Sequence, residues 1–455
     1  MGIGGERFTV SGALRDRASV HTLILVFIHQ SIVASAAFFL TWLIANFQSG
    51  HPYQTDLLLY FAAMTLPFIP GCLSLVTLKK WENQLHRRYI QLADAAIVDR
   101  IQLHGDRASE ESFTGLVSRN SFGIIHAFCE YVHAFLTFFL NSVLSIMVIA
   151  ALLPGELVLG YVASAILSGI VVMIFAPVIA RKAVSTESLN VTYGSTLSRM
   201  WINLSLGNPL NKQFWRAAAH RSAEQYYDAA QDLAWMRQTS NLLLGLVALA
   251  PTMFLVYQVV NAADVSAAVV AAIIVNLTRI MHILNSFGAL IYQSLDLKNV
   301  MSRLGLLTHQ LASTQAALTL PLSAPRGEIF MNGAPLADFA ATAQILARAN
   351  HGRFTITGSN GSGKSSLLIY LKKWFGDHSF LLPAHIDGLQ FGEHAPEGST
   401  GERMIHALQQ VLQRSCAKVL LIDEWDANLD RGNAHALDEA LSTMARAVIV
   451  VEVRH

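Results

Sequence analysis

The chain has 455 residues, enough for two or three ordinary domains, and is 53% hydrophobic but only 14% charged. Soluble globular domains run nearer one quarter charged, so the composition points to membrane-embedded mass. A net charge of +1 lends no support to a nucleic-acid partner, and 3 cysteines (Cys72, Cys129 and Cys416) are too few for a disulfide framework.

The segment Met1–His21 is too polar to be the apolar core of a signal peptide. Gly2 invites lipidation, but Glu6 stands where a myristoylation signal needs Ser or Thr. The first apolar run, Thr22–Phe47, contains no Lys, Arg, Asp or Glu. Five more follow: Leu57–Leu78, Ile124–Leu153, Leu157–Ala180, Leu242–Val260 and Val265–Tyr292. Each reaches roughly the ~20 residues needed to cross the hydrocarbon core, so six membrane-spanning helices are predicted. The alternative, six buried helices of a soluble protein, would have to fit in one core.

The links between these runs alternate in charge. Gln48–Asp56, Pro154–Glu156 and Asn261–Asp264 contain no Lys or Arg. Lys79, Lys80, Arg87, Arg88, Arg100, Arg107 and Arg119 lie between spans two and three, and Arg181, Lys182, Arg199, Lys212, Arg216, Arg221 and Arg237 between spans four and five. Cytoplasmic loops collect Lys and Arg, which predicts that both long links and both termini are cytoplasmic. A multi-pass protein of the cell inner membrane, in contact with membrane lipid, is the expected setting.

His126, Glu130 and His133 fall at i, i+4 and i+7 on one face of span three. They either serve a proton- or cation-linked role or form a solvated face near the inner headgroups. Arg279 and His282 lie mid-way along span six and must face a cavity or an acidic partner. Pro67, Pro70, Pro177 and Pro251 are expected to kink their helices. The sequons at Asn190, Asn203 and Asn276 fall in cytoplasmic or membrane segments and should be unmodified. After span six, a polar stretch over 313–326 reads as a linker, dividing the chain into 1–312, the linker, and 327–455.

Beyond the linker, Gly358-Ser359-Asn360-Gly361-Ser362-Gly363-Lys364-Ser365 fits the phosphate-binding pattern G-x-x-x-x-G-K-[ST]. It follows the strand-like Arg353–Thr357 and precedes the helix-like Ser366–Lys373, the context this loop needs. Its glycines let backbone N–H groups converge on phosphate oxygens. Lys364 would neutralise the β- and γ-phosphates of ATP, Ser365 would ligate Mg2+, and the helix N-terminus, with Ser366, would favour the anion. Downstream, Lys418–Ile422 is an apolar strand ending in Asp423 and Glu424. Asp423 would hold Mg2+ through water and Glu424 would polarise the attacking water.

These features together resemble the ATP-binding cassette family, specifically over Gly352–His455. Asn428-Leu429-Asp430 resembles its D-loop, and a last strand, Ala447–Val453, delivers His455 where that family has a switch histidine. Gly398-Ser399-Thr400-Gly401-Glu402 resembles the signature motif Leu-Ser-Gly-Gly-Gln, keeping Ser399 and Gly401. In that family the signature of one subunit closes over the nucleotide of the other, so the resemblance implies a dimer. The short outer and long inner links resemble the exporter-type transmembrane domain, with Thr114-Gly115-Leu116-Val117-Ser118-Arg119 and Gly207-Asn208-Pro209 near the two coupling turns. The implied fold is an all-α six-helix transmembrane domain followed by an α/β P-loop (RecA-like) nucleotide-binding domain.

The chain departs from the family as well. Lys364 and Ser399 are too close for the usual helical subdomain, and Ala384 stands where the Q-loop glutamine is expected, with Gln390 as a displaced stand-in. Phe339 is the candidate to stack on adenine, and the sequence ends at His455, short of the family's closing helices. The resemblance implies ATP-driven transport, export foremost, of an amphipathic peptide- or lipid-like substrate by a homodimer, with a heterodimer as the alternative. An importer of the same fold, an ATP-binding regulatory or sensor subunit that does not hydrolyse, and a soluble P-loop kinase on an anchor are the rivals. The last would need one span rather than six.

Overall fold

The computed structural model describes residues 8–104, 106–152, 155–261, 286, 290, 293, 296–297, 300–312, 314, 325, 327–384, 389–390, 400–414, 417–426 and 431–454. These divide into two units: Met1–Ala93 with Gly115–Leu311, and Asp94–Thr114 with Ala312–His455.

The first unit is helical. In chain order it holds α1 (Val10–Leu14), α2 (Arg17–Gln48), α3 (Gln54–Thr65) and most of α4 (Phe68–Ile97); after α5 (Arg107–Thr114), in the second unit, come α6 (Ser121–Leu152), α7 (Gly155–Ser198), α8 (Met200–Ser205) and α9 (Pro209–Val260). Five helical segments among the described residues are long and apolar enough to cross a membrane: 17–48, 54–97, 121–148, 162–198 and 209–260. Runs two, four and five of the sequence reading thus extend well past the apolar stretch, α9 most of all, because Ala, Gln, Glu and Arg are good helix formers and carry the helix on beyond it, whereas α6 nearly coincides with run three. Nearly all of the sixth run, including Arg279, His282 and Asn276, lies outside the described residues.

The expected proline effects differ from site to site. Pro177 and Pro251 are held inside α7 and α9. Pro67 and Pro70 instead break run two into α3 and α4, with Leu66 and Pro67 in a turn. Two prolines three residues apart each lack the N–H that would bond four residues back, so successive rungs of the ladder are lost. A three-residue bond from Ile69 N to Leu66 O (3.1 Å) takes over, and His29 on α2 donates through Nδ1 to Pro67 O (2.8 Å). His29 can approach because Gly71 has no side chain; a Cβ there would sit 2.9 Å from Nδ1. The glycine break expected near 207–209 is present: Gly207 has φ +78°, and Pro209 opens α9 at its first turn. The first coupling-turn motif forms a π-helical stretch, Gly115–Asn120, leading into α6.

Apolar helices in lipid gain little from packing hydrophobic faces on each other, so polar contacts and small residues hold them together. Thr22 on α2 donates to Thr77 on α4 (3.0 Å), Ser74 on α4 meets His133 on α6 (3.2 Å), and Ser164 on α7 meets Thr252 on α9 (3.2 Å). One turn beyond the end of run two, the buried Glu82 carboxylate accepts from Lys79 (2.7 Å) and lies 2.9 Å from His126 Nδ1. His126 Nε2 is in turn 3.4 Å from Glu130. Of the three groups singled out on span three, His126 and Glu130 therefore share a charged cluster, and His133 belongs to a separate hydrogen bond.

The second unit is built on a six-stranded sheet of order β2-β1-β3-β6-β5-β4, with β1 (Ile329–Met331), β2 (Ala334–Pro335), β3 (Gly352–Gly358), β4 (Ser379–Leu382), β5 (Val419–Ile422) and β6 (Ile449–Val453). Strands β3, β6, β5 and β4 run parallel, while β1 pairs antiparallel with β2 and β3. Parallel strands need helical crossovers. Here these are α11 (Lys364–Phe375), α12 (Thr400–Arg414) and α13 (Arg431–Met444), with α10 (Phe339–Arg348) preceding β3. Asn332 (φ 50°) and Gly333 (φ 81°) close the β1–β2 hairpin, the left-handed pair that a two-residue turn requires.

Alternate residues of the parallel strands feed two cores. Val419, Leu421, Ile449, Val451 and Val453 pack with Leu367, Leu368 and Leu371 of α11 and with α10. Leu382, Leu420, Ile422 and Val450 pack with Met404 and Leu408 of α12 and with Leu437 and Leu441 of α13. A strand buried on both faces reads as a continuous apolar run, as Val419–Ile422 does in the sequence. The segment from the first inner link also belongs to this unit: the 3-10 turn Ile101–Leu103 packs on α11, and Arg100 donates to Thr314 O (2.9 Å).

Candidate functional site

The loop Gly358–Ser366 joins the end of β3 to the start of α11, as the pattern predicts. Gly361 (φ 79°) and Gly363 (φ 106°) occupy the left-handed region, which a side chain would disfavour. Gly358 is required for a different reason. It pairs with Ile329 on β1, and a Cβ would lie 2.7 Å from Glu328 O and 3.0 Å from Ser362 Oγ. Gly358→Ala should therefore destabilise the protein by about 1–3 kcal/mol through overpacking against backbone, measured as a lower thermal unfolding temperature. An unchanged unfolding temperature would show that β1 moves aside at no cost.

Lys364 is only 5% exposed although it carries a charge. Its ammonium is folded into the loop and donates to Gly358 O (2.9 Å) and Ser359 O (3.3 Å). A buried cation whose hydrogen bonds go only to neutral carbonyls is in place to accept an anion. The first-turn amides of α11 point the same way, because a helix start has N–H groups without intrahelical acceptors and a partial positive charge.

Asp423 and Glu424 follow β5. Asp423 N donates to Leu382 O (3.0 Å), which aligns the ends of β5 and β4. Burial pushes the Asp423 carboxyl above its ordinary value and the Glu424 carboxylate adds to this, while the nearby Ser365 hydroxyl and the charges of His104 and Lys364 oppose it. Ser365 and Asp423, far apart in sequence, are thus brought close together. Asp423 Oδ1 is buried and has no hydrogen-bond partner. A serine hydroxyl beside an orphaned carboxylate oxygen is a donor set that suits a hard divalent cation such as Mg2+ together with phosphate oxygens. Among the described residues no group of three His, Cys, Asp or Glu could hold a metal, so ligands beyond these two would come from a phosphate or from water. Glu424 has φ 41°, an uncommon conformation for a residue with a side chain and a local backbone strain.

The residues singled out from the sequence fare unequally. Gly358, Ser359, Asn360, Gly361, Ser362, Gly363, Lys364, Ser365 and Ser366 form one loop and helix start, and Asp423 joins them. Gly401 lies in the first turn of α12. Ser399, Asp430 and His455 lie outside the described residues. Ala384, just past β4, is half-buried, and Gln390 is exposed. The expectation for Phe339 is overturned: it is 1% exposed, in the core beneath Tyr370, and cannot present its ring to an adenine. The residue opens α10, whose Asp338 cap (accepting from Ala340 N) and apolar face turn it inward.

Sequence reasoning missed Glu452. It interrupts the apolar strand β6 and is 1% exposed, surrounded by Arg353, Thr355, Trp425 and Arg454. A lone acid inside a predicted central strand, with an arginine opening the strand before the phosphate loop, was the available signal. Compared with models of known protein families and with curated protein sequences, the chain matches neither.

Proposed function

We propose that this protein is one half of an ATP-driven membrane transporter that works as a dimer. The observation that carries this reading is the meeting of Ser365, from the loop that encloses the Lys364 ammonium, with Asp423 at the end of the buried strand β5. The five apolar helices support the membrane half of the proposal. In this reading the loop amides and Lys364 hold the ATP phosphates, Ser365 and Asp423 hold Mg2+, which neutralises phosphate charge, and Glu424 takes a proton from the attacking water. His455 and the Ser399–Gly401 signature would complete the site across the dimer by the resemblance already described. The chain would reside in the inner membrane of the cell with both termini cytoplasmic, and its cargo would be an amphipathic peptide- or lipid-like molecule moved outward.

ATP hydrolysis by the purified protein in lipid vesicles tests the reading, with Lys364→Ala as the first variant. Losing this charge-assisted contact should weaken ATP binding by about ten- to a hundred-fold, corresponding to roughly 1.5–3 kcal/mol. Titration calorimetry measures it, and an unchanged affinity would sink the assignment of the loop. A second reading, an ATP-binding sensor subunit without turnover, is favoured by Ala384, which offers no amide where the resemblance calls for a glutamine. Tight ATP binding with no phosphate release, in lipid, would select that reading.

A further inference from the structure

We propose that Glu452 is a positioning residue for the Asp423–Glu424 pair, acting through the indole of Trp425; this rests on the ATPase reading above. Apolar residues would fill the centre of a sheet at less cost than a buried carboxylate, which must be paired on every side. Glu452 is so paired. Arg353 on β3 donates to it twice, from Nε (3.0 Å) and Nη2 (2.9 Å), in the bidentate geometry of the strongest carboxylate contacts. Thr355 Oγ1, its register neighbour on β3, donates at 3.0 Å, and Arg454 Nε forms an ion pair at 3.1 Å. Trp425 Nε1 donates at 2.9 Å.

The two arginines are themselves anchored. Arg353 also donates to Asp438 Oδ1 (2.7 Å), Asp438 O (3.2 Å) and Ser442 Oγ (2.7 Å) on α13. Arg454 bonds Asp438 as well and lies over the Trp425 ring at 5.1 Å. These bonds hold the Arg353 guanidinium above its ordinary pKa although burial alone would lower it. One carboxylate therefore joins the phosphate-loop strand, the last strand and the turn after β5.

The consequence falls on Glu424. Its left-handed backbone persists only if the residues on both sides are fixed. Asp423 is fixed by its bond to Leu382 O, and Trp425, 4% exposed, is fixed by its bond to Glu452. Without that second anchor the turn can relax toward a right-handed conformation, and Glu424 would swing away from the water it must deprotonate.

Trp425→Phe keeps a ring in the core and removes only the N–H. Its kcat for ATP hydrolysis should fall on the order of ten- to a hundred-fold with the KM for ATP unchanged. Thr355→Val deletes a different bond to the same carboxylate and should keep kcat within about two-fold, since that bond lies on β3, away from the turn that carries Glu424, and Arg353 and Arg454 still hold the carboxylate. Glu452→Gln provides the second arm and should reproduce the kcat loss with ATP affinity retained. An unaltered kcat in folded Trp425→Phe or Glu452→Gln overturns the inference, as does a loss in Thr355→Val equal to that in Trp425→Phe. A matching loss of ATP affinity overturns it too, because it would mark a general loosening of the site. Absence of hydrolysis in the unmodified protein removes the ATPase reading and this inference with it, whereas hydrolysis with indifferent variants removes the inference alone.

Discussion

Replacing Glu424 by Gln is expected to slow ATP hydrolysis by about a hundred- to ten-thousand-fold while leaving ATP affinity within about two-fold. The substitution keeps the size and polarity of the side chain but takes away the carboxylate proposed to accept the proton. Binding should survive because the proposed phosphate contacts lie elsewhere, at Lys364 and the start of α11, whereas Glu424 sits on the turn after β5. Steady-state phosphate release and titration calorimetry on the same preparation separate the two effects. Hydrolysis that persists in the variant would assign the base to another residue. Equal loss of binding would mean instead that the left-handed turn at Glu424 shapes the phosphate loop itself.

A second large effect is expected in the sheet core. Leu421 is 0% exposed at the centre of β5, between β6 and β4, and packs against α11. Leu421→Ala removes most of a side chain from a place where neither the strands nor the helix can close in, since both faces of the sheet are covered. The expected destabilisation is about 2–5 kcal/mol. Chemical denaturation followed through the loss of ATP binding measures it. Leu75→Ala on α4 is the comparison: that side chain is 58% exposed, on the lipid-compatible surface, and its truncation leaves no cavity. Similar losses from the two changes would contradict the burial on which the argument depends.

These expectations bear on why the chain keeps charged residues in costly places. Lys364, Glu452 and Glu82 are each at most 5% exposed, and each is held by a specific set of partners. Lys364 differs from the other two in that its hydrogen bonds among the described residues go to neutral carbonyls, with the Asp423 carboxyl close enough to feel its charge. Glu452 and Glu82 are compensated by cations within the chain. On electrostatic grounds the first is poised to bind and the other two are poised to hold structure.

Several features were legible in the sequence because they depend on local chemistry. A long apolar run needs only its own backbone bonds to become a helix in lipid, so runs one to five appear as helices. Positive φ at Gly361 and Gly363 and the four-residue buried strand Val419–Ile422 likewise follow from residue type. The strand–loop–helix order around Lys364 belongs to the same class.

What the sequence could not decide depends on residues distant in the chain. The break at Leu66–Pro67 is completed by His29 from another helix, and the core that encloses Phe339 is supplied by other elements, Tyr370 among them. The contact of Ser365 with Asp423 requires the sheet order, which sets β6 between the strand before the loop and the strand before the acidic pair. That order also brings Arg353 and Thr355 of β3 alongside Glu452, and β5 brings Trp425 to its other side. Periodicity and motif spacing report which face a residue presents. Only the tertiary structure decides what that face meets, because the free energy of a buried charge is set by partners that the order of residues along the chain does not name.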